Sequence, residues 1–106
     1  MSKQAIKLKK LLLQLTERLQ NAQLWDVEPP STSALSSQQP FAVDTLKPQQ
    51  WLQWVFIPRM QQIIADAQPI PSGFSLTPYF EEVWKQELDM TAIIEIIQSI
   101  DEACSC

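Results

Sequence analysis

Leucines recur along the first part of the chain at Leu8, Leu12, Leu15 and Leu19, and Ala22 completes steps of four, three, four and three. This spacing holds apolar side chains on one side of a 3.6-residue helix, so it predicts an amphipathic helix from Lys3 to Leu24, with Leu11 widening the stripe. The helix must stop before Pro29-Pro30. Residues 26–44 are rich in Ser, Gln and Pro and read as a long connection with a short helical turn near Ser33 to Ser37. A structureless loop of this length is uncommon in a small domain, so Trp25, Leu35, Phe41 and Val43 are expected to tack it onto the rest.

A second long helix is predicted from Leu46 to Ala67, with Thr45 as its N-cap and Pro48 in its first turn, where a missing donor does no harm. Around its axis Leu52, Trp54, Val55, Phe56, Ile57, Met60, Ile63 and Ile64 point in almost every direction, the pattern of an enclosed helix. Pro58 lies in its interior. There it removes the donor that would reach the Trp54 carbonyl, at a cost of ~3 kcal/mol, which predicts a bend or a break. Pro69-Ile70-Pro71-Ser72-Gly73 then forms a stiff connector containing the chain's single glycine. Thr77-Pro78 opens a third helix in the favoured cap-then-proline order, with Glu81 and Glu82 near its positive end. The isoleucine-rich last segment is β-branched, yet Met90, Ile93, Ile94, Ile97, Ile100 and Cys104 keep helical spacing, and Asp89 is a plausible cap. The fold class that follows is all-α: a four-helix bundle with a long irregular connection between the first two helices. One domain spans residues 1–106, with 102–106 as a frayed tail carrying the two thiols, Cys104 and Cys106.

Composition narrows the chemistry. At 45% hydrophobic and 19% charged residues, the chain has enough apolar material to fold. No apolar run reaches the ~18 residues of a membrane span, and the lysine-bearing start does not resemble a signal peptide, so a cytoplasmic protein is expected. The absence of histidine removes His-activated nucleophiles, His-ligated zinc and the commonest base near neutral pH. A single glycine excludes dinucleotide-binding and phosphate-cradling loops. Glu81 and Glu82 point about 100° apart on a helix and do not converge on one substrate, and Asp44 and Asp66 read as helix-flanking residues. No cofactor or metal site is expected, and the two terminal cysteines supply too few ligands on their own.

Charge is unevenly distributed around a net value of -4. The first twenty residues carry Lys3, Lys7, Lys9, Lys10 and Arg18 against Glu17. From residue 79 onward seven carboxylates face only Lys85. The simplest reading sets the first and last helices side by side, each with a solvated face. A direct RNA contact through Lys7, Lys9 and Lys10 is an alternative that the pI of about 4.6 disfavours. Among the aromatics, Trp51, Trp54 and Tyr79 with the cation Arg59 form a candidate groove. The guanidinium needs a partner, and an aromatic face, Glu81, Glu82 or an anionic ligand could each supply it.

Trp51-Leu52-Gln53-Trp54, Phe56-Ile57-Pro58-Arg59-Met60, Pro71 and Pro78-Tyr79-Phe80-Glu81-Glu82 together resemble the YqcC-like family of small uncharacterised bacterial proteins. The resemblance spans nearly the whole chain. It implies an all-helical bundle without known activity, whose genes often lie beside that of a tRNA pseudouridine synthase. Such synthases use an aspartate nucleophile on a mixed α/β scaffold, for which this chain has neither the strands nor the length, so it is not expected to be an enzyme. The leading expectation is a non-catalytic protein-interaction or accessory module linked to tRNA modification, its partner another protein such as that synthase. A direct tRNA or RNA binder and a small carboxylate-dependent enzyme are the alternatives. A homodimer through exposed aromatics is compatible with each.

Overall fold

The computed structural model describes residues 3–105, and every regular element among them is helical. In chain order these are α1 (Lys3–Asn21), α2 (Thr32–Leu35), a 3-10 turn (Pro40–Ala42), α3 (Pro48–Trp51), a π-helical segment (Leu52–Phe56), α4 (Ile57–Ala65), α5 (Thr77–Val83), a 3-10 turn (Leu88–Met90) and α6 (Thr91–Ala103). The expected all-α bundle is what forms. Among the described residues no helix is long and apolar enough to cross a membrane.

The leucine stripe of α1 behaves as its spacing predicts: Leu8, Leu12, Leu15 and Leu19 are almost fully buried, and Leu11 and Ala5 join them. The helix ends earlier than expected. Gln23 turns left-handed (φ 61), Leu24 N–H bonds the Leu19 carbonyl at 2.9 Å, and Gln23 N–H bonds Gln20 at 3.0 Å. These two reversed bonds satisfy carbonyls that a helix end otherwise leaves bare, and they carry the chain out of the helix. Ala67 (φ 53) ends α4 in the same way, with Gln68 N–H on Ile63 and Ala67 N–H on Ile64. In a chain with one glycine, ordinary residues take these left-handed positions.

Pro58 does not break the central helix. The turn before it widens instead: Leu52–Phe56 is π-helical, and Ile57 N–H reaches back five residues to Leu52. Phe56 (φ -67, ψ -55) and Ile57 (φ -61, ψ -50) stay right-handed, so α3, the π segment and α4 form one rod from Pro48 to Ala65. A wider turn moves the Trp54 carbonyl out of the path of the proline ring, which in α geometry would collide with it. The rod starts after Lys47 rather than Thr45, and the Gln50 side chain accepts the Lys47 N–H at 2.8 Å. Thr45 instead donates to the Ala34 carbonyl, stitching the connection to itself.

The connection is tacked down by other residues than expected. Trp25 and Phe41 do pack against the core, but Leu35 and Val43 are exposed, and Ala42 and Leu46 are the buried anchors. Nor is the rod enclosed all round: Trp51, Trp54, Val55 and Ile63 are only half-buried and Pro58 and Arg59 are exposed.

α6 makes its most extensive interface with α1, as the charge distribution suggests. Gln4 Nε2 donates to the Ala103 carbonyl at 2.9 Å, so the start of α1 meets the end of α6. No ion pair joins them among the described residues, where Lys85–Glu82, exposed on α5 and just beyond it, is the salt bridge formed. Packing holds this interface: Ile93, Ile97 and Ile100 are almost fully buried, and Ile96 is buried where Ile94 was expected. The helix continues through Ala103 and Cys104 is fully buried in the core, so residues 102–104 are not a frayed tail. Cys106 lies outside the described residues. Asp89 sits in the 3-10 turn and caps nothing through its side chain.

α5 is capped across the bundle. The Asp101 carboxylate of α6 accepts the Leu76 N–H at 2.9 Å, the Thr77 N–H at 2.8 Å and the Thr77 hydroxyl at 2.6 Å. Thr77, expected to be the cap, is itself held by this acceptor. Asp101→Ala leaves those donors unsatisfied, and its expected cost is about 2 kcal/mol, or about 10 °C in thermal midpoint, measurable by circular dichroism melting.

Candidate functional site

Trp51, Val55, Arg59 and Ile63 follow one another at steps of four along the rod. They line one side of a groove of about 340 Å³. Phe41 from the connection and Pro71 and Phe74 from the connector between α4 and α5 form the opposite side, over a floor of buried Phe56, Met60 and Leu76. The connector is shaped by Gly73, the one glycine, at φ 78.

The aromatic packing is continuous from core to groove. Trp51 stacks on Phe56 with centroids 5.5 Å apart, and Phe56 meets Phe74 edge-on at 6.2 Å. Phe41 crosses Trp51 at 4.8 Å and lies flat on Tyr79 at 4.1 Å. Tyr79 in turn meets the fully buried Phe80 at 5.0 Å. Phe41 (φ 57) and Ala42 (φ 48) are both left-handed, a conformation that costs an L-residue roughly 1–2 kcal/mol. Stacking of Phe41 and burial of Ala42 offset it.

Of the four residues singled out from sequence, the structure therefore brings Trp51 and Arg59 into one groove. Tyr79 supports the groove from behind, through Phe41. Trp54 belongs elsewhere. A π turn advances fewer degrees per residue than an α turn, so three residues carry Trp54 further from Trp51 than one α turn would. Its indole N–H points to Asp26 Oδ2 at 3.3 Å, on a different side of the rod, beside a depression of about 400 Å³ lined also by Trp25 and Pro58.

Asp26 and Gln53 were not singled out from sequence, and together they fix this second side. Gln53 is buried (5% exposed), which a lone glutamine in an apolar run does not announce. Its side-chain oxygen accepts the Asp26 N–H at 2.7 Å while its amide nitrogen donates to the Asp26 carbonyl at 2.9 Å. The side chain thus pairs with both backbone polar groups of one residue, the Asp26 N–H and carbonyl, as a neighbouring strand would, leaving neither partner unsatisfied. Gln50 Nε2 adds a bond to the carboxylate at 3.2 Å. Glutamines three residues apart, followed by a tryptophan, were the signal available in the sequence.

Arg59 is exposed, and its guanidinium makes no hydrogen bond, ion pair or ring contact among the described residues. The partners expected for it are engaged or distant: Glu82 pairs with Lys85 at 2.9 Å, and Glu81 borders a depression between α5 and α6. The remaining carboxylate candidates are exposed and scattered. Asp44 accepts the Ser37 hydroxyl and Asp66 accepts from Gln62. Two further depressions flank α1. One of about 290 Å³ is lined by Lys9, Leu13 and Ala65, and one of about 580 Å³ by Gln4, Gln68 and Ile70, neither with an aromatic wall.

The family model described as DUF446, tRNA pseudouridine synthase C, matches residues 7–103. An uncharacterised protein of Haemophilus influenzae is 35% identical over 94 residues, covering 89% of each chain. The uncharacterised protein YqcC of Escherichia coli is 38% identical over 86 residues, covering 80% of this chain and 79% of that one. A protein of Pectobacterium carotovorum named tRNA pseudouridine synthase C is 35% identical over 74 residues, which are 70% of this chain but 20% of that protein. The solution NMR structure of E. coli YqcC superposes with a TM-score of 0.85 at 30% identity, covering 96% of this chain and 88% of that one.

Two outcomes are expected from this geometry. Gln53→Leu strands the Asp26 N–H and carbonyl, and should lower stability by about 2 kcal/mol in urea unfolding. Burial raises the Tyr79 phenol above its ordinary 10.0. Since the neutral form is the one favoured in the folded chain, its contribution is complete below pH 10 and is lost as pH rises through the higher folded value. Tyr79 is the only tyrosine, so tyrosinate absorbance should give one transition above pH 10 that falls back toward it in urea.

Proposed function

The chain belongs to the DUF446 family, and from that premise we propose that it is a non-catalytic protein-binding module serving a tRNA pseudouridine synthase. The observation that carries the proposal is the Pectobacterium protein. There a stretch similar to this chain makes up one fifth of a longer protein named for that activity. Joining two units in one chain converts their association into an intramolecular event at an effective concentration that can reach ~mM. Where the two are separate chains, a binding surface must do the same work. The groove of Trp51, Val55 and Arg59 suits that role, because it combines half-buried apolar area with a cation that has no ion-pair partner among the described residues.

A non-catalytic role accords with the placement of the acidic residues. Asp44, Asp66 and the Glu81–Glu82 pair are exposed and lie on separate segments, and the two glutamates are neighbours on α5 that diverge, whereas acid–base chemistry needs groups converging on a cleft. One observation favours a second reading, direct RNA binding: Lys3, Lys7, Lys9, Lys10 and Arg18 are all exposed along α1, and none is in an ion pair among the described residues. Five cations on one helix are a modest footprint for a polyanion, especially on an acidic chain.

Co-purification of the separately expressed synthase with this chain, with and without RNase, tests the proposal. The expected result is a complex that survives RNase. Loss on RNase treatment would favour the RNA reading, and sedimentation of the chain alone would expose a homodimer competing for the same groove.

A further inference from the structure

The groove is chemically more specific than an apolar patch. Its walls and floor are aromatic and aliphatic, they contain no carboxylate, and the single charged group among them is the Arg59 guanidinium. Burying such a group beneath a partner without a counter-charge is unfavourable, whereas a carboxylate can take two parallel N–H bonds from its planar fork. The occupant must therefore bring an anion and apolar side chains at once.

The order of groups along the rod refines this. Trp51 and Val55 come first, Arg59 next and Ile63 last. At 1.5 Å per residue they span roughly 18 Å, a length that an extended segment covers with about five or six residues. Trp51 and Phe74 both pack on Phe56, and Trp51 stands twelve residues before Ile63 along the rod.

We infer that this groove captures a short acidic–apolar segment of a partner protein, one or two large apolar side chains entering beside Trp51 and Phe74 while an adjacent Asp or Glu pairs with Arg59. This inference rests on reading the chain as a protein-binding module for the synthase, and it adds which surface binds and what it recognises. Arg59 acts as the selective element and the aromatic floor supplies most of the buried area.

Calorimetric titration of the purified chain with purified tRNA pseudouridine synthase C tests both levels. The variants are Arg59→Gln, Arg59→Lys, Arg59→Glu and, as a control for general charge, the exposed Lys85→Gln. All should melt close to wild type, because the Arg59 guanidinium makes no hydrogen bond or ion pair among the described residues and Lys85 makes one exposed pair with Glu82 of the kind that contributes little. The inference expects Arg59→Gln to weaken binding roughly tenfold or more, Arg59→Glu to abolish it, Arg59→Lys to fall between and Lys85→Gln to leave it unchanged. Overlapping peptides covering the synthase, immobilised and probed with the chain, should be retained only where a large apolar residue adjoins Asp or Glu, and replacing that acid by its amide should release them. Unchanged binding by Arg59→Gln, or retention of peptides without an acid, overturns the inference and leaves the module reading standing. Loss of the wild-type complex on RNase treatment overturns it in favour of RNA. No binding of the wild-type chain to the synthase overturns the module reading and the inference with it.

Discussion

A proline in the interior of the most central helix is the constraint on which the rest depends. Pro58 cannot donate, and its ring leaves no room for the carbonyl four residues earlier. The chain answers with five π-helical residues, Leu52–Phe56, and keeps the rod continuous. That local choice sets the azimuth of every side chain before the proline relative to those after it. Leu52 and Phe56 stay in the core, Gln53 and Trp54 turn toward the connection, and Trp51 and Val55 align with Arg59. One widened turn thus gives two chemically distinct sides to a helix whose composition suggests complete enclosure.

Those two sides are held by different physics. Toward the connection the bonds are polar and geometric: Gln53 pairs with the Asp26 peptide, and Gln50 and Trp54 converge on its carboxylate. A buried amide is expensive if left unpaired, so this contact specifies a single position for the loop in a way that Leu35 or Val43 packing would not. Toward the groove the contacts are aromatic and more forgiving. Phe41 accepts a strained backbone to lie on Tyr79, and in doing so supplies the far wall of the groove. Core and candidate site are parts of one aromatic cluster, with Phe80 and Phe56 at its centre and Trp51 at its edge.

The ends of the helices follow the same division. Gln23 and Ala67 close their helices by local backbone bonds alone. The start of α5 is instead capped by Asp101, 24 residues away in sequence, so the donors of its first turn are satisfied by α6. The link between the two helices sits at a point where Thr77-Pro78 suggests a self-sufficient helix start.

Much of this was legible in the residues. The leucine and isoleucine periodicities specify α1 and α6 because burying a stripe is a property of spacing along one helix, and Pro29, Pro69 and Pro78 bound the elements because proline acts on its immediate neighbours. Trp51 and Arg59 were recognisable by type, as a large aromatic and a cation needing a partner, but on a regular α-helix they stand about 80° apart and the π turn between them brings them to one groove. What only the tertiary structure decided are the contacts that span the chain: Gln53 with Asp26, Asp101 with Thr77, Phe41 with Tyr79, and the burial of Cys104. Spacing cannot encode them, since each depends on where a second element arrives. The same holds for Trp54, whose side of the rod was set by how the helix accommodated Pro58 and not by its three-residue distance from Trp51.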